Sequence, residues 1–268
     1  MIPLPKLTAA KMIKQTSMEI VSLYRYPVKG LRAQPLASVK LDVGMTVPFD
    51  RAYAIENGPG RFDPENPRHL PKINFLMLMR NERLAALEAQ FDDETQTLTI
   101  LRDGKQITRG ALNTKLGRQL IEQFIAGYMK DDLKGPPRIV SAAGHSFSDV
   151  ADKCLHIVNL ASLRDLEKAA GAQLDPLRFR ANLYFDGAEA WAERKWLGRT
   201  LKAGTARLKV LDETTRCEAS NVNPSTAQRD ATIPPTLLRT FGHDHFGLYA
   251  EVIKAGEVST GDKLEIEG

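Results

Sequence analysis

Cysteine is nearly missing from this chain: 268 residues contain only Cys154 and Cys217. Two thiols cannot build a four-cysteine zinc site or hold an iron–sulfur cluster by themselves, and nothing in their setting suggests a disulfide. Long apolar runs are missing too. The longest, Phe75 to Met79, is five residues, against the ~18 needed for a membrane span, so no membrane-spanning segment is expected. A strong charge of one sign is also lacking. The net charge is +4, and three of those charges come from Lys6, Lys11 and Lys14 in a leader over 1–17 that carries no acid. The near-neutral remainder excludes the broad electrostatic footprint of a nucleic-acid binder. The leader has no arginine and no apolar core of signal-peptide type. It reads as a flexible extension, and the cytoplasm is the expected location.

Familiar catalytic signatures are absent as well. There is no Walker A motif, no G-x-G-x-x-G after a strand and no H-E-x-x-H. Gly144-His145-Ser146 begins like a nucleophile elbow, but Ser148 stands where the second glycine is required. His243-Asp244-His245 has the spacing to face one divalent ion, yet after Gly242 it reads first as a solvated loop. Trp191 and Trp196 stand among charges and suit packing against the edge of a core. Cys154, on a predicted strand, reads as a small buried thiol.

What is present is β-rich. Residues 19–28 and 36–43 mix β-branched and polar residues as half-buried strands do, and 51–56 reads as a third. Residues 61–74, with three prolines, read as a surface loop. Residues 84–91 favour a strand, and 97–101 leads into a turn at Arg102-Asp103-Gly104. Residues 113–129 predict a helix whose apolar face carries Leu116, Leu120 and Phe124 beside Ile121 and Ile125, capped by Asn113 or Thr114. Charge, glycine and two prolines in 131–137 mark a linker. Beyond it, 154–159 predicts a strand, and 162–170 a helix capped by Ser162 and stopped by Gly171. Residues 182–186, 207–212, 248–254 and 263–267 predict further strands. The expected fold is mostly β with a few helices (α+β). It has two β-rich halves, 18–134 and 135–268, behind the leader.

Four segments carry a resemblance. Tyr26-Pro27-Val28-Lys29-Gly30 is followed about twenty residues on by Asp50-Arg51. Arg178-Phe179-Arg180-Ala181-Asn182 comes next. Thr215-Arg216-Cys217 precedes Val222-Asn223-Pro224. Phe246-Gly247-x-Tyr249 is followed by Gly256 and Gly261-Asp262. In this order, over 19–268, they resemble the MOSC-domain proteins that carry an N-terminal MOSC β-barrel module, relatives of the molybdenum cofactor sulfurase C-terminal part and of the amidoxime-reducing components.

The resemblance implies an N-terminal β-barrel-like module followed by a MOSC β-barrel domain, with molybdenum cofactor (Mo-molybdopterin) bound between them. It implies Cys217 as the catalytic residue and thiolate ligand of the metal; soft sulfur suits that metal, and the adjoining Arg216 would favour the thiolate. Lys29, Arg51, Arg180 and Arg216 match positions that hold the cofactor's phosphate and pterin, as fixed cations suit anionic oxygens. Gly30 stands where a serine often stands, leaving only a backbone contact. Asn182, Thr215 and Tyr249 would add hydrogen bonds, and Asp149 belongs to a segment that aligns with a cofactor-contacting turn. The implied activity is that of a molybdenum-dependent oxidoreductase, which reduces small N-hydroxylated compounds by oxygen-atom transfer to reduced molybdenum. No cysteine-rich ferredoxin tail follows the last predicted strand, so a separate ferredoxin- or flavoprotein-type electron donor is expected. The alternative within the family is a sulfur or cofactor carrier using a Cys217 persulfide. A link to pyridoxal phosphate enzymes has been proposed for such proteins, and no pyridoxal-binding lysine site is evident here. Outside the family, the pI alone would suggest a binder of anionic ligands or RNA.

Overall fold

The computed structural model describes residues 17–267. The leader lies outside these residues except for Ser17. The fold is mostly β, with three α-helices among the described residues.

Strand β1 (Glu19–Arg25) forms where its sequence predicts, and a register shift between Ile20 and Ser22 lets it bury both Ile20 and Leu23. Short strands β2 (Gln34–Leu36), β3 (Ser38–Leu41) and β4 (Ala54–Glu56) follow. Residues 84–91 divide rather than form one strand. Glu82–Ala86 winds into a 3-10 turn that buries Leu84 and Ala85, and only then does β5 (Glu88–Asp92) begin. β5 opens a meander with β6 (Thr97–Arg102) and β7 (Lys105–Ala111).

Helix α1 (Lys115–Tyr128) packs across this meander. Thr114 is its cap, its hydroxyl accepting from the Gly117 N–H at 3.0 Å. The helix is rotated from the face expected for it: Gly117, Ile121 and Ile125 point inward, whereas Leu116 and Leu120 are exposed. Gly117 sets this phase. A Cβ there would lie 2.1 Å from the Ala111 carbonyl oxygen, so only glycine lets the helix approach β7 so closely.

β8 (Arg138–Val140) pairs with β4. Next come β9 (Leu155–Asn159), α2 (Leu160–Ala170) and β10 (Leu183–Asp186). β9 and β10 are parallel, which is why a helix must cross between them. Asn159, not Ser162, caps α2, accepting from Ala161 N at 3.0 Å. Ser162 is buried inside the helix and donates to Glu193 at 2.6 Å. Gly171, at φ 67°, stops the helix as predicted. The chain then forms β11 (Thr200–Ala203), β12 (Ala206–Thr215), α3 (Ile233–Phe241), β13 (His245–Lys254), β14 (Gly256–Ser259) and β15 (Leu264–Glu267).

These strands assemble an eight-stranded sheet in the order β15-β11-β12-β13-β9-β10-β1-β2. Three register irregularities between β12 and β13 bend it. A bridge between Glu19 and Lys263 draws its far strands together. The curled sheet encloses a core of Ile20, Ile157, Phe185, Leu208, Val210, Leu248 and Val252. Trp196 closes one side of that core against Phe185 at 5.4 Å, as its packing role predicts. Cys154 is buried, and burial pushes its thiol up to about 12. A second core joins Val28, Ile55, Leu76, Leu98, Ile100, Ile121 and Ile125. The chain crosses between the two cores right after Tyr26, and a cavity lies at that crossing.

Candidate functional site

A cavity of about 420 Å³ lies between the two cores. All ten residues singled out in the sequence line it: Cys217, Lys29, Gly30, Arg51, Asp149, Arg180, Asn182, Thr215, Arg216 and Tyr249. They come from at least six separate chain segments, so the fold alone brings them together.

Lys29 follows the β-bridge between Val28 and Tyr53, and its N–H donates to Tyr53 O at 2.8 Å. Its buried ammonium donates to Phe147 O at 2.8 Å and to Asp149 at 2.5 Å. Burial lowers the Lys29 pKa, with Asp149 opposing. Gly30 takes φ +86°, and a Cβ there would crowd Leu76 O and Leu84 at 3.1 Å. Backbone conformation and space both favour glycine here.

Arg51 and Arg180 both sit in left-handed backbone conformations, at φ 51° and 54°. Such strain in non-glycine residues gathers at functional sites because only a well-determined surrounding can hold it. Their guanidinium groups stack on Tyr26, at 4.4 and 4.2 Å from the ring centroid. Asp50 pairs with Arg51, and Arg51 also donates to Arg180 O at 2.9 Å. Arg180 has only a carbonyl partner, Leu31 O at 2.9 Å. Burial, then the neighbouring Arg51, push its pKa down to about 10.

Asn182 spends both ends of its amide on backbone, accepting from His156 N and donating to Tyr24 O. It therefore ties β9 to β1 and presents little to a ligand. Thr215 is exposed at the end of β12. Tyr249 stands on β13, its hydroxyl pushed up by burial, with Arg216 opposing.

Cys217 is half-buried at the start of the 3-10 turn Glu218–Asn221. The cation touching its sulfur is not the neighbouring Arg216, whose guanidinium turns inward to Phe179 O at 3.0 Å. It is Lys72, with Nζ 3.5 Å from Sγ and 3.1 Å from Asp149. Burial works to lower Lys72, but Asp149 and Cys217 outweigh it and the net shift is upward. Burial likewise raises Asp149, yet Lys29 and Lys72 hold its carboxyl well below the usual range. Sequence reasoning missed Lys72 because it lies in the proline-rich loop and has no periodic signal.

His156 was missed too. It stands in β9, a strand buried along its whole length, where a lone imidazole was the only available signal. Its Nε2 has no hydrogen-bond partner. Burial, aided by Arg216 and Arg51, keeps its pKa well below 6.5, so the ring is neutral when folded. The unfolded chain takes up this proton near pH 6.5 and the folded chain does not. The contribution to stability is therefore complete above that pH and falls as pH drops, by up to about 1.4 kcal/mol per pH unit. Urea unfolding at pH 5 and pH 7 should show a smaller drop in His156→Gln than in wild type.

The interior of the cavity is cationic. Lys29, Arg51, Lys72, Arg180 and Arg216 face the buried carboxylate of Asp50 and, at the mouth, that of the more exposed Asp149. The other acids on the lining lie outward: Asp152 and Asp212 are exposed, and Glu213 is paired with Arg194. Among the described residues, five buried side-chain nitrogen or oxygen atoms lack a partner. Four belong to residues lining this cavity: His156, Arg178, Thr214 and Arg216. Buried polar groups are nearly always satisfied, so these atoms are donors and acceptors that a polar ligand in the cavity could satisfy. An anionic phosphate and a polar pterin fit that donor set, and the soft sulfur of Cys217 fits a molybdenum ion. By contrast, His243-Asp244-His245 forms no metal cluster, for no group of three metal-ligating side chains occurs among the described residues. Trp191 packs beside it on Phe241 and Phe246. No helix among the described residues is long and apolar enough to cross a membrane.

The family described as MOSC N-terminal beta barrel domain matches residues 17–149. The family described as MOSC domain matches residues 142–265. The two matches overlap at the stretch holding Phe147 and Asp149. Mitochondrial amidoxime reducing component 2 of Rattus norvegicus is 28% identical over 122 residues, covering 41% of this chain and 36% of that protein. The chain thus aligns with little over a third of that relative's length. Among solved structures, the YUAD protein of Bacillus subtilis is 13% identical with a TM-score of 0.43, covering 93% of this chain and 95% of that one. YiiM of Geobacillus stearothermophilus is 20% identical with a TM-score of 0.34, covering 42% of this chain and 54% of that one.

Proposed function

The chain belongs to the MOSC-domain proteins that carry the N-terminal MOSC β-barrel, and from that premise we propose that it binds molybdenum cofactor in the cavity described above and reduces small N-hydroxylated compounds. One observation carries the reading: the half-buried Cys217 sulfur opens onto the same cavity as Arg51, Arg180, Arg216 and most of the unpartnered buried polar atoms.

Cys217 would ligate the metal. Arg180 and Arg216, which lack carboxylate partners among the described residues, would take the phosphate and pterin oxygens, with Arg51 beside them. The neutral His156 offers one ring nitrogen for a further hydrogen bond. When bound, the cofactor supplies the two-electron redox chemistry that reduction of an N-hydroxyl group requires. The protein's own part is to hold these anions rigidly. The Tyr26 stack fixes the two arginines, and the Asp149 bridge between Lys29 and Lys72 fixes the charge at the mouth. Electrons would come from a separate ferredoxin- or flavoprotein-type donor. A site in the cytoplasm belongs to the same reading.

The direct test uses full-length protein made in cells that synthesise the cofactor. Elemental analysis should find about one molybdenum per chain. A simple N-hydroxylated base should be reduced with an artificial electron donor. Protein free of molybdenum and inert toward that base would remove the reading. The carrier alternative, with Cys217 passing a persulfide, relies on the same half-exposed sulfur, and sustained turnover counts against it.

A further inference from the structure

We propose that Lys72 is a positioning residue for the Cys217 sulfur: it holds the sulfur from across the seam between the two cores and offers a remaining N–H to an acceptor oxygen of the ligand that reaches it. The functional meaning of this proposal rests on the reading of Cys217 above, whereas the contact itself does not.

Lys72 begins the 3-10 turn Lys72–Asn74. That turn is anchored, since Phe75 N donates to Lys72 O and Asn74 N to Pro71 O, both at 3.0 Å. Asn57 N reaches Asn74 O at 2.9 Å and ties the turn to the end of β4. The side chain therefore starts from a fixed backbone, although the surrounding loop is rich in proline.

From there Nζ reaches Asp149 at 3.1 Å and Cys217 Sγ at 3.5 Å. Asp149 is itself held, because its other oxygen accepts from Lys29, which also donates to Phe147 O. Two ammonium groups share one carboxylate, so a net positive charge remains beside the sulfur. An ammonium carries three N–H donors. Asp149 and Cys217 take two, and the third has no partner among the described residues. The Lys72 side chain is 32% exposed, which places this donor where a small molecule can reach it.

The chemistry selects a class of ligand. A cation with one free donor beside the sulfur favours molecules whose reacting atom lies one or two bonds from an acceptor oxygen or oxyanion. An N-hydroxyl group has this arrangement. Arg216 makes no contact with the sulfur; its guanidinium donates to Phe179 O at 3.0 Å.

The contact can be tested without the cofactor. Full-length protein from cells unable to make the cofactor would be alkylated with iodoacetate and, separately, with iodoacetamide. In both reactions the sulfur displaces iodide, and only iodoacetate brings a carboxylate to the free donor. The rate at Cys217 would be followed by peptide mass spectrometry. The iodoacetate-to-iodoacetamide ratio should fall roughly fivefold in Lys72→Met, the size of one charge-assisted contact at a half-open site. It should recover in Lys72→Arg and stay unchanged in Lys202→Met, a lysine on β11 away from the cavity. If Lys72→Met fails to fold, Lys72→Gln should show the same fall. An unchanged ratio without the ammonium, or a fall that arginine does not restore, overturns the proposal. Molybdenum analysis of wild type made with the cofactor separates the two ideas. Metal-free wild type with the fall still present removes the cofactor reading and leaves Lys72 in its place.

Discussion

Replacing Cys217 with serine should strip the protein of molybdenum and reduce turnover of an N-hydroxylated base by at least about 100-fold. Loss of an outer-shell partner of a metal ligand already costs about 10–100-fold, and here the ligand itself is lost. A hydroxyl is a hard, weakly acidic donor and does not replace a thiolate on a soft metal. The substitution should spare the fold. The Cys217 carbonyl accepts from Ser220 N and Ser220 Oγ at 3.0 and 2.8 Å, and neither bond uses the Cys217 side chain. The side chain is half-buried and fills no core. Thermal unfolding of cofactor-free Cys217→Ser should therefore stay within about 2 °C of cofactor-free wild type, because surface-like substitutions cost at most about 0.5 kcal/mol. Equal metal content and equal turnover in the two proteins would show that the sulfur is not the ligand.

A large loss of stability should come from Gly247→Ala. Gly247 is the glycine of Phe246-Gly247-x-Tyr249, and it sits in β13 at φ +87°. A Cβ there would lie 2.4 Å from His156 Nε2, 2.8 Å from Ile157 O and 2.9 Å from Val158 Cγ2. Left-handed strain and overpacking each cost about 1–3 kcal/mol. Together they predict a loss of about 3–5 kcal/mol, or roughly 6–15 °C in Tm for a chain of this size. The cause can be divided. Shrinking the neighbour in the double variant Gly247→Ala/His156→Ser should recover part of the loss, because it relieves the closest contact, while the backbone strain remains. A single variant as stable as wild type would mean that β13 and β9 are not packed this closely. The same glycine explains how a buried imidazole fits against the floor of the cavity.

Much of the fold was legible locally. The strand at β1 and the glycine stop at Gly171 follow from short-range rules, and so does the presence of a helix over 115–128. Errors arose where a distant partner outweighed local preference. Leu116 and Leu120 have the spacing of a buried face, but the glycine contact between α1 and β7 turned the helix away from them. Ser162 is a good cap by type, yet Glu193 claimed its hydroxyl and Asn159 took the cap. Residues 84–91 are apolar enough for a strand, and the need to bury Leu84 and Ala85 under the second core wound their first part into a turn.

Residue types and their order along the chain determined the family, the β-rich class and the ten candidate residues, because turns, alternation and motif spacing are encoded within a few positions of one another. Only the tertiary structure decided that β1 and β2 join the sheet built by residues 155–267. It alone gathered those ten residues around one cavity, and it put Lys72 rather than Arg216 on the sulfur. Strand pairing and ion pairing between distant segments depend on where the whole chain finds room to close. Residues as far apart as Lys72 and Cys217 carry no local trace of that choice.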